Sequence, residues 1–149
     1  MADPTTLSTK APWHLWVVGV LSMLWDAGGA MDFTLTQARN EAYMKAFTPE
    51  QLAYFYGFPL WVVASWGIAT WGSLLGSVVL LCRKSLAVHV FLVSLNAMGL
   101  TTSHTFVLSN GMEVMGGGAG MVIFSAVIFV IAVLLWLYAR AMRTRGVLR

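Results

Sequence analysis

The chain has 149 residues, 58% hydrophobic and only 10% charged, with nine Lys/Arg against six Asp/Glu for a net charge of +3. A soluble domain carries about 25% charged residues, so these charges are too few to coat a water-facing surface. A single cysteine, Cys82, excludes a disulfide scaffold, and basic residues that are scattered exclude the basic stripe of a nucleic-acid module; an integral membrane protein is left.

A bilayer core about 30 Å thick takes about 20 mostly apolar residues per helix. The first such segment covers about residues 13–35 and is interrupted by Asp26 and Asp32. A cleaved leader needs a basic start, an apolar stretch of about 7–15 residues and a small-x-small site. Ala27-Gly28-Gly29-Ala30 supplies the small residues, but Lys10 is set against Asp3 and Asp26 stands just before any cut. The segment is therefore read as a retained first helix. No Gly or Pro falls between Asp32 and Ala46, so this helix is expected to run on past the bilayer. Asp32 and Arg39, seven apart, would then share a face.

Thr48-Pro49-Glu50-Gln51 has the pattern of an N-cap, a proline at the first helical position and a capping-box partner. It predicts a short helix through Leu52–Tyr56, rich in aromatics and lying on the membrane surface, with Gly57 ending it. Pro59 opens the second span, 59–82, which has no Asp, Glu, Lys or Arg. Gly67, Gly72 and Gly76 on it, the last two four apart, let backbones approach and predict a packing face whose partner the spacing does not name. Trp61, Trp66 and Trp71, spaced by five, wind around the helix. Arg83-Lys84 makes a tight turn into the third span, 86–108, whose ionisable groups are His89 and His104. Gly116-Gly117-Gly118 makes the next turn. The fourth span, 119–139, has only Ser125 as a polar side chain in its core.

Lys10, Arg83, Lys84, Arg140, Arg143, Arg145 and Arg149 fall on one side of this arrangement, and Arg39 and Lys45 on the other. The excess of positive charge on cytoplasmic loops puts both termini inside. The expected fold is an all-α membrane protein, one domain over 1–149, with four antiparallel transmembrane helices, both ends cytoplasmic, and a short periplasmic surface helix.

Ionisable residues within the bilayer are functional-site candidates, because an apolar residue there is more favourable. At about 1.5 Å per residue, Asp26 lies about 20 Å and Asp32 about 28 Å from the inner face, against about 15 Å for Asn96 and about 27 Å for His104. A polar cluster of Asp26, Asp32, Asn96 and His104 in the outer half follows, with Asp32 and His104 paired, Asp26 deeper, and Arg39 placed to complete a site for an anionic or hydroxylated ligand. Two readings stand open: a binding or proton-linked site, or a structural clasp holding the first helix against the third at about 0.6–2 kcal/mol per contact. Arg39 also fits a headgroup-level charge that meets water or lipid. His14 and His89 both lie near the inner edge, but His104 has no histidine opposite it, and no zinc-ligand spacing appears. No cofactor and no metal are expected, and without a phosphate loop, nucleophile elbow or catalytic dyad no enzyme activity is expected.

The stretch Trp16 to Phe33, then Thr36-Gln37-Ala38-Arg39-Asn40 with Tyr43, then Thr48-Pro49-Glu50-Gln51 through Phe58-Pro59 resembles a family of small four-span inner-membrane proteins of proteobacteria. Sequences of that family often carry the genome label "sugar transporter". The resemblance implies a bacterial inner-membrane location and, through the label, a solute. Two functions follow as expectations. One is an accessory or scaffold subunit of a larger membrane complex, supported by small size, the glycine face and an almost unpolar last span. The other is a small solute carrier, for sugars by the label, working through the polar cluster. Four helices enclose little room, so a carrier would need a homodimer partner, and no inverted repeat is present. The lipid bilayer, other transmembrane subunits or a second copy, and a small-molecule ligand are thus the expected partners; nucleic acid is not.

Overall fold

The computed structural model describes residues 9–149; Asp3, weighed in the question of a leader, lies outside them. Among the described residues seven α-helices follow one another: α1 (Trp13–Gln37), α2 (Glu41–Met44), α3 (Pro49–Tyr56), α4 (Leu60–Leu81), α5 (Leu86–Ser103), α6 (Gly111–Val114) and α7 (Ala119–Thr144). A π-helical turn, His104–Leu108, continues α5, and no strand occurs among the described residues. Helix α4, the continuous helix 86–108 and α7 are each long and apolar enough to cross a membrane. Helix α1 matches them in length with 25 residues but carries Asp26 and Asp32.

The punctuation of the sequence explains most boundaries. Pro12 and Pro59, both extended, precede α1 and α4. In α3 the capping box closes in both directions: Gln51 N–H donates to Thr48 Oγ1 at 3.2 Å and Thr48 N–H to Gln51 Oε1 at 3.1 Å. Gly57 ends it. Arg83, at φ 58°, turns the chain tightly from α4 into α5. The first helix runs on past Asp32, but not as far as Ala46. Helix α1 stops at Gln37, Arg39 takes φ 52°, and the Asn40 side chain accepts from Tyr43 N–H at 3.0 Å to start α2. A short amide that caps a new helix competes with continuing the old one.

The long helices pack in the order α1, α4, α5, α7, each on the next. The glycine face is used inside the chain. A Cβ on Gly76 would sit 2.7 Å from the Phe91 ring and one on Gly72 3.4 Å from Ser94 Cβ, both on α5. One on Gly67 would sit 2.9 Å from Phe33 on α1. The face therefore holds α4 between its two neighbours.

The apolar core is concentrated at one end, where Leu15, Leu80, Ala87, Phe91, Leu135, Ala139 and Met142 meet Val147 and Leu148 of the C-terminal tail. The tail is tied to the α4–α5 turn: Arg149 N–H donates to Arg83 O at 2.9 Å, and Ser85 N–H to Arg149 O at 2.7 Å. The Arg83 guanidinium reaches Thr9 O at 2.7 Å and Val147 O at 3.2 Å. The N-terminal segment, the 83–85 turn and the tail thus share this basic end. There α1 and α7 are joined by His14 Nδ1 and Tyr138 OH, 2.6 Å apart. Beyond it they diverge, so four helices form an arc that is closed at the base and open above.

Candidate binding cleft

The opening between α1 and α7 is a cleft of about 660 Å³ whose floor is formed by α4 and α5. That volume falls in the range of about 300–1,000 Å³ usual for small-molecule sites. Leu24, Trp25, Trp66, Met98, Phe124, Ile128 and Leu135 make its walls mostly apolar. Small residues on α1 keep it open: a Cβ on Gly28 would meet nothing within 4 Å, and Gly29 lies over Thr70.

Among the described residues two carboxylates reach the cleft, and no Lys, Arg or His lines it. Asp26, 7% exposed, faces α4. Its Oδ2 accepts from the fully buried Ser77 hydroxyl at 2.6 Å, and Ser77 Oγ lies 3.0 Å from Ser22 Oγ, whose hydroxyl is also 3.0 Å from Gly19 O. Among the described residues no donor reaches the other Asp26 oxygen. Asp32, two turns further out, accepts a short hydrogen bond from the Tyr43 hydroxyl. That bond, with partial burial and the nearby negative charge, pushes the Tyr43 phenol up to about 12, since ionising it would place two anions in contact.

The hydroxyls of the lining mostly have their protons committed elsewhere. Thr70 donates to Trp66 O at 3.0 Å and Thr101 to Ala97 O at 3.1 Å. Ser94 donates to Ala69 O at 2.6 Å, so in the Ser73–Ser94 contact of 2.9 Å Ser73 is the donor. A hydroxyl that has given its proton to a backbone carbonyl presents lone pairs to anything that approaches. The cleft is consequently acceptor-rich, anionic and apolar-walled.

Of the five residues grouped from the sequence, the structure brings two, Asp26 and Asp32, to one cavity. The Asp32–His104 pair is not formed. His104 is buried, its ring at the edges of Phe58 and Trp61 at 5.4 and 5.5 Å, and Nδ1 has no partner among the described residues. It opens the π-helical turn, where the helix is wound more widely and Ser109 Oγ bonds back to His104 O at 2.8 Å. Asn96 is exposed and donates to Leu92 O at 2.8 Å. The inward face of α5 is Ala87, Val88, Phe91, Ser94 and Ala97, and Asn96 falls off that stripe. Arg39 leaves the helix with its positive φ and stacks on Tyr56, 4.2 Å from the ring centre.

Ser22, Ser73, Ser77, Thr70, Tyr43 and Gly28 were not assigned to a binding site from the sequence, where Gly28 entered only the question of a leader and Tyr43 only the family resemblance. Their signal is a period of four: Ser22 with Asp26 on α1, and Ser73 with Ser77 on α4, put small polar groups on facing stripes. His14 is held by Tyr138, while His89 and Cys82 point outward. Comparison with family models, with curated proteins and with solved structures finds no match for the chain.

Proposed function

We propose that the chain is a non-enzymatic four-span protein of the bacterial inner membrane, with both termini cytoplasmic, that binds a small solute in the α1–α7 cleft and acts as a small carrier. Three apolar helices support the membrane assignment. The fourth span rests on α1, whose 25 residues make about 37 Å of helix packed along α4. Orientation rests on the gathering of Arg83, the tail and the end of α7 at one pole, as the positive-inside rule requires of a cytoplasmic face. The N-terminal resemblance supports the same compartment.

The single observation that carries the solute reading is the cleft itself, with a carboxylate 7% exposed on its wall. A thermal-melting series in mild detergent tests it, using sugars, amino acids and organic amines against the wild type and Gly28→Leu, which fills the cleft from an open position. At least one class should raise the melting temperature of the wild type and lose that effect in Gly28→Leu. If no class does, the carrier reading fails.

A second reading, an accessory subunit of a larger membrane complex, is favoured by α7, on which Val122, Ile123, Phe124, Val127, Phe129 and Val130 are exposed. Extraction from native membranes followed by size separation decides between them. Migration with a large assembly supports the subunit; a single chain or dimer supports the carrier.

A further inference from the structure

We infer that the cleft selects a lipophilic organic monocation: an apolar body carrying one weakly hydrated positive charge of the ammonium, phosphonium or amidinium kind. This rests on the reading of the cleft as a binding site and names its ligand class.

Charge is the first argument. Among the described residues the lining holds Asp26 and Asp32 and no Lys, Arg or His, so its field favours cations and repels anions. Hydrogen-bonding capacity is the second. Ser73, Thr70, Thr101 and Tyr43 have committed their protons to protein acceptors, while the lining hydroxyls of Thr102 and Ser125 have no such acceptor among the described residues. Four of the six lining hydroxyls thus present lone pairs, and these add to the two carboxylates as acceptors for a cation. Walls are the third. Trp25, Trp66 and Tyr43 put aromatic rings in the lining, which a positive charge can approach, and the remaining apolar lining would not replace the water shell of a small inorganic ion.

The stoichiometry follows from the two carboxylates being unequal. Asp32 is held by Tyr43 near α2. Asp26 is more than nine-tenths buried, lines the cleft, and has one oxygen that no donor reaches among the described residues. One deep anionic seat takes one charge, and the apolar body lies outward along α7.

Tetraphenylphosphonium and tetraphenylborate, alike in size and shape and opposite in charge, are suitable probes. Their binding to the full chain in zwitterionic nanodiscs is measured by equilibrium dialysis, with empty discs subtracted. With each ion's binding expressed against its mole fraction in the disc lipid, as the empty discs give it, saturable phosphonium binding at least about tenfold tighter than borate binding is expected, since an ion pair in a partly desolvated site is worth a factor of this size or more. Asp26→Asn should remove most of that preference and Asp32→Asn a smaller part. Equal binding of both ions, abolished for both by Gly28→Leu, would overturn the cation inference and leave the cleft as a neutral site. So would a preference that survives both carboxamide variants. No saturable binding of either ion to the wild type would sink the cleft reading and this inference together. Because the comparison of the two ions is made on the wild type, it holds even if Asp26→Asn fails to fold.

Discussion

At the scale of single residues, the contact between Asp32 and Tyr43 has a readable consequence in alkali. The phenol is pushed from 10.0 up to about 12 in the folded chain, chiefly by its bond to the Asp32 carboxylate. A group whose pKa rises on folding stabilises the fold while it keeps its proton. The bond's contribution is therefore full below about pH 10 and is lost as pH climbs through about 12. Because the pair is partly solvated, about 1 kcal/mol is expected. Melting curves of wild type and Tyr43→Phe should differ by that amount at pH 8 and converge toward pH 12; a constant difference would show that the hydroxyl contributes only by packing. The glycines of α4 make a second residue-scale comparison. Gly76→Ala drives a methyl to 2.7 Å from the Phe91 ring, whereas Gly72→Ala only touches Ser94 at 3.4 Å. Overpacking of the first kind costs about 1–3 kcal/mol. Gly76→Ala should melt well below wild type and Gly72→Ala close to it, and the reverse order would contradict the α4–α5 register.

At the scale of elements, what could be read from the sequence is what local chemistry decides. The capping box, Pro49 and Gly57 located α3, and the apolar runs located α4, the 86–108 helix and α7 to within a few residues. Thr48→Ala removes the hydroxyl that receives Gln51 N–H and should weaken α3 by about 1 kcal/mol. Hydrogen exchange over residues 49–56 should then accelerate about fivefold while α4 is unaffected. Depth counting, by contrast, brought residues to one level and said nothing about azimuth. Asp26 meets Ser77, and the contacts of Gly76 with Phe91 and of Ser73 with Ser94 put that level near Phe91, so Asn96 lies further out than Asp26 as well as off the α5 stripe. The π-helical turn at His104 and the break at Arg39–Asn40 alter rotation and path in ways that apolar periodicity does not encode. The cleft escaped for a related reason. Its floor is made of serines and threonines that look unremarkable singly and acquire meaning only when α1 and α4 are set face to face.

At the scale of the whole molecule, the structure divides into a tied base and an open upper part. Val147 and Leu148, each 4% exposed, fill the core where four helices converge. Leu148→Ala is expected to cost about 2–3 kcal/mol, lowering the melting temperature while leaving α3 exchange unchanged; a near-neutral effect would mean that the tail lies on the core without helping to hold it. The open part faces sideways, between α1 and α7, along walls that are themselves apolar. For a chain embedded in a bilayer, a ligand that arrives by that route is drawn from the lipid phase, and its local concentration is set by partitioning. The apparent dissociation constant, expressed as total ligand per volume of sample, should then rise with the amount of lipid once most of the ligand is partitioned, so that the constant of this protein is naturally stated as a mole fraction in the membrane.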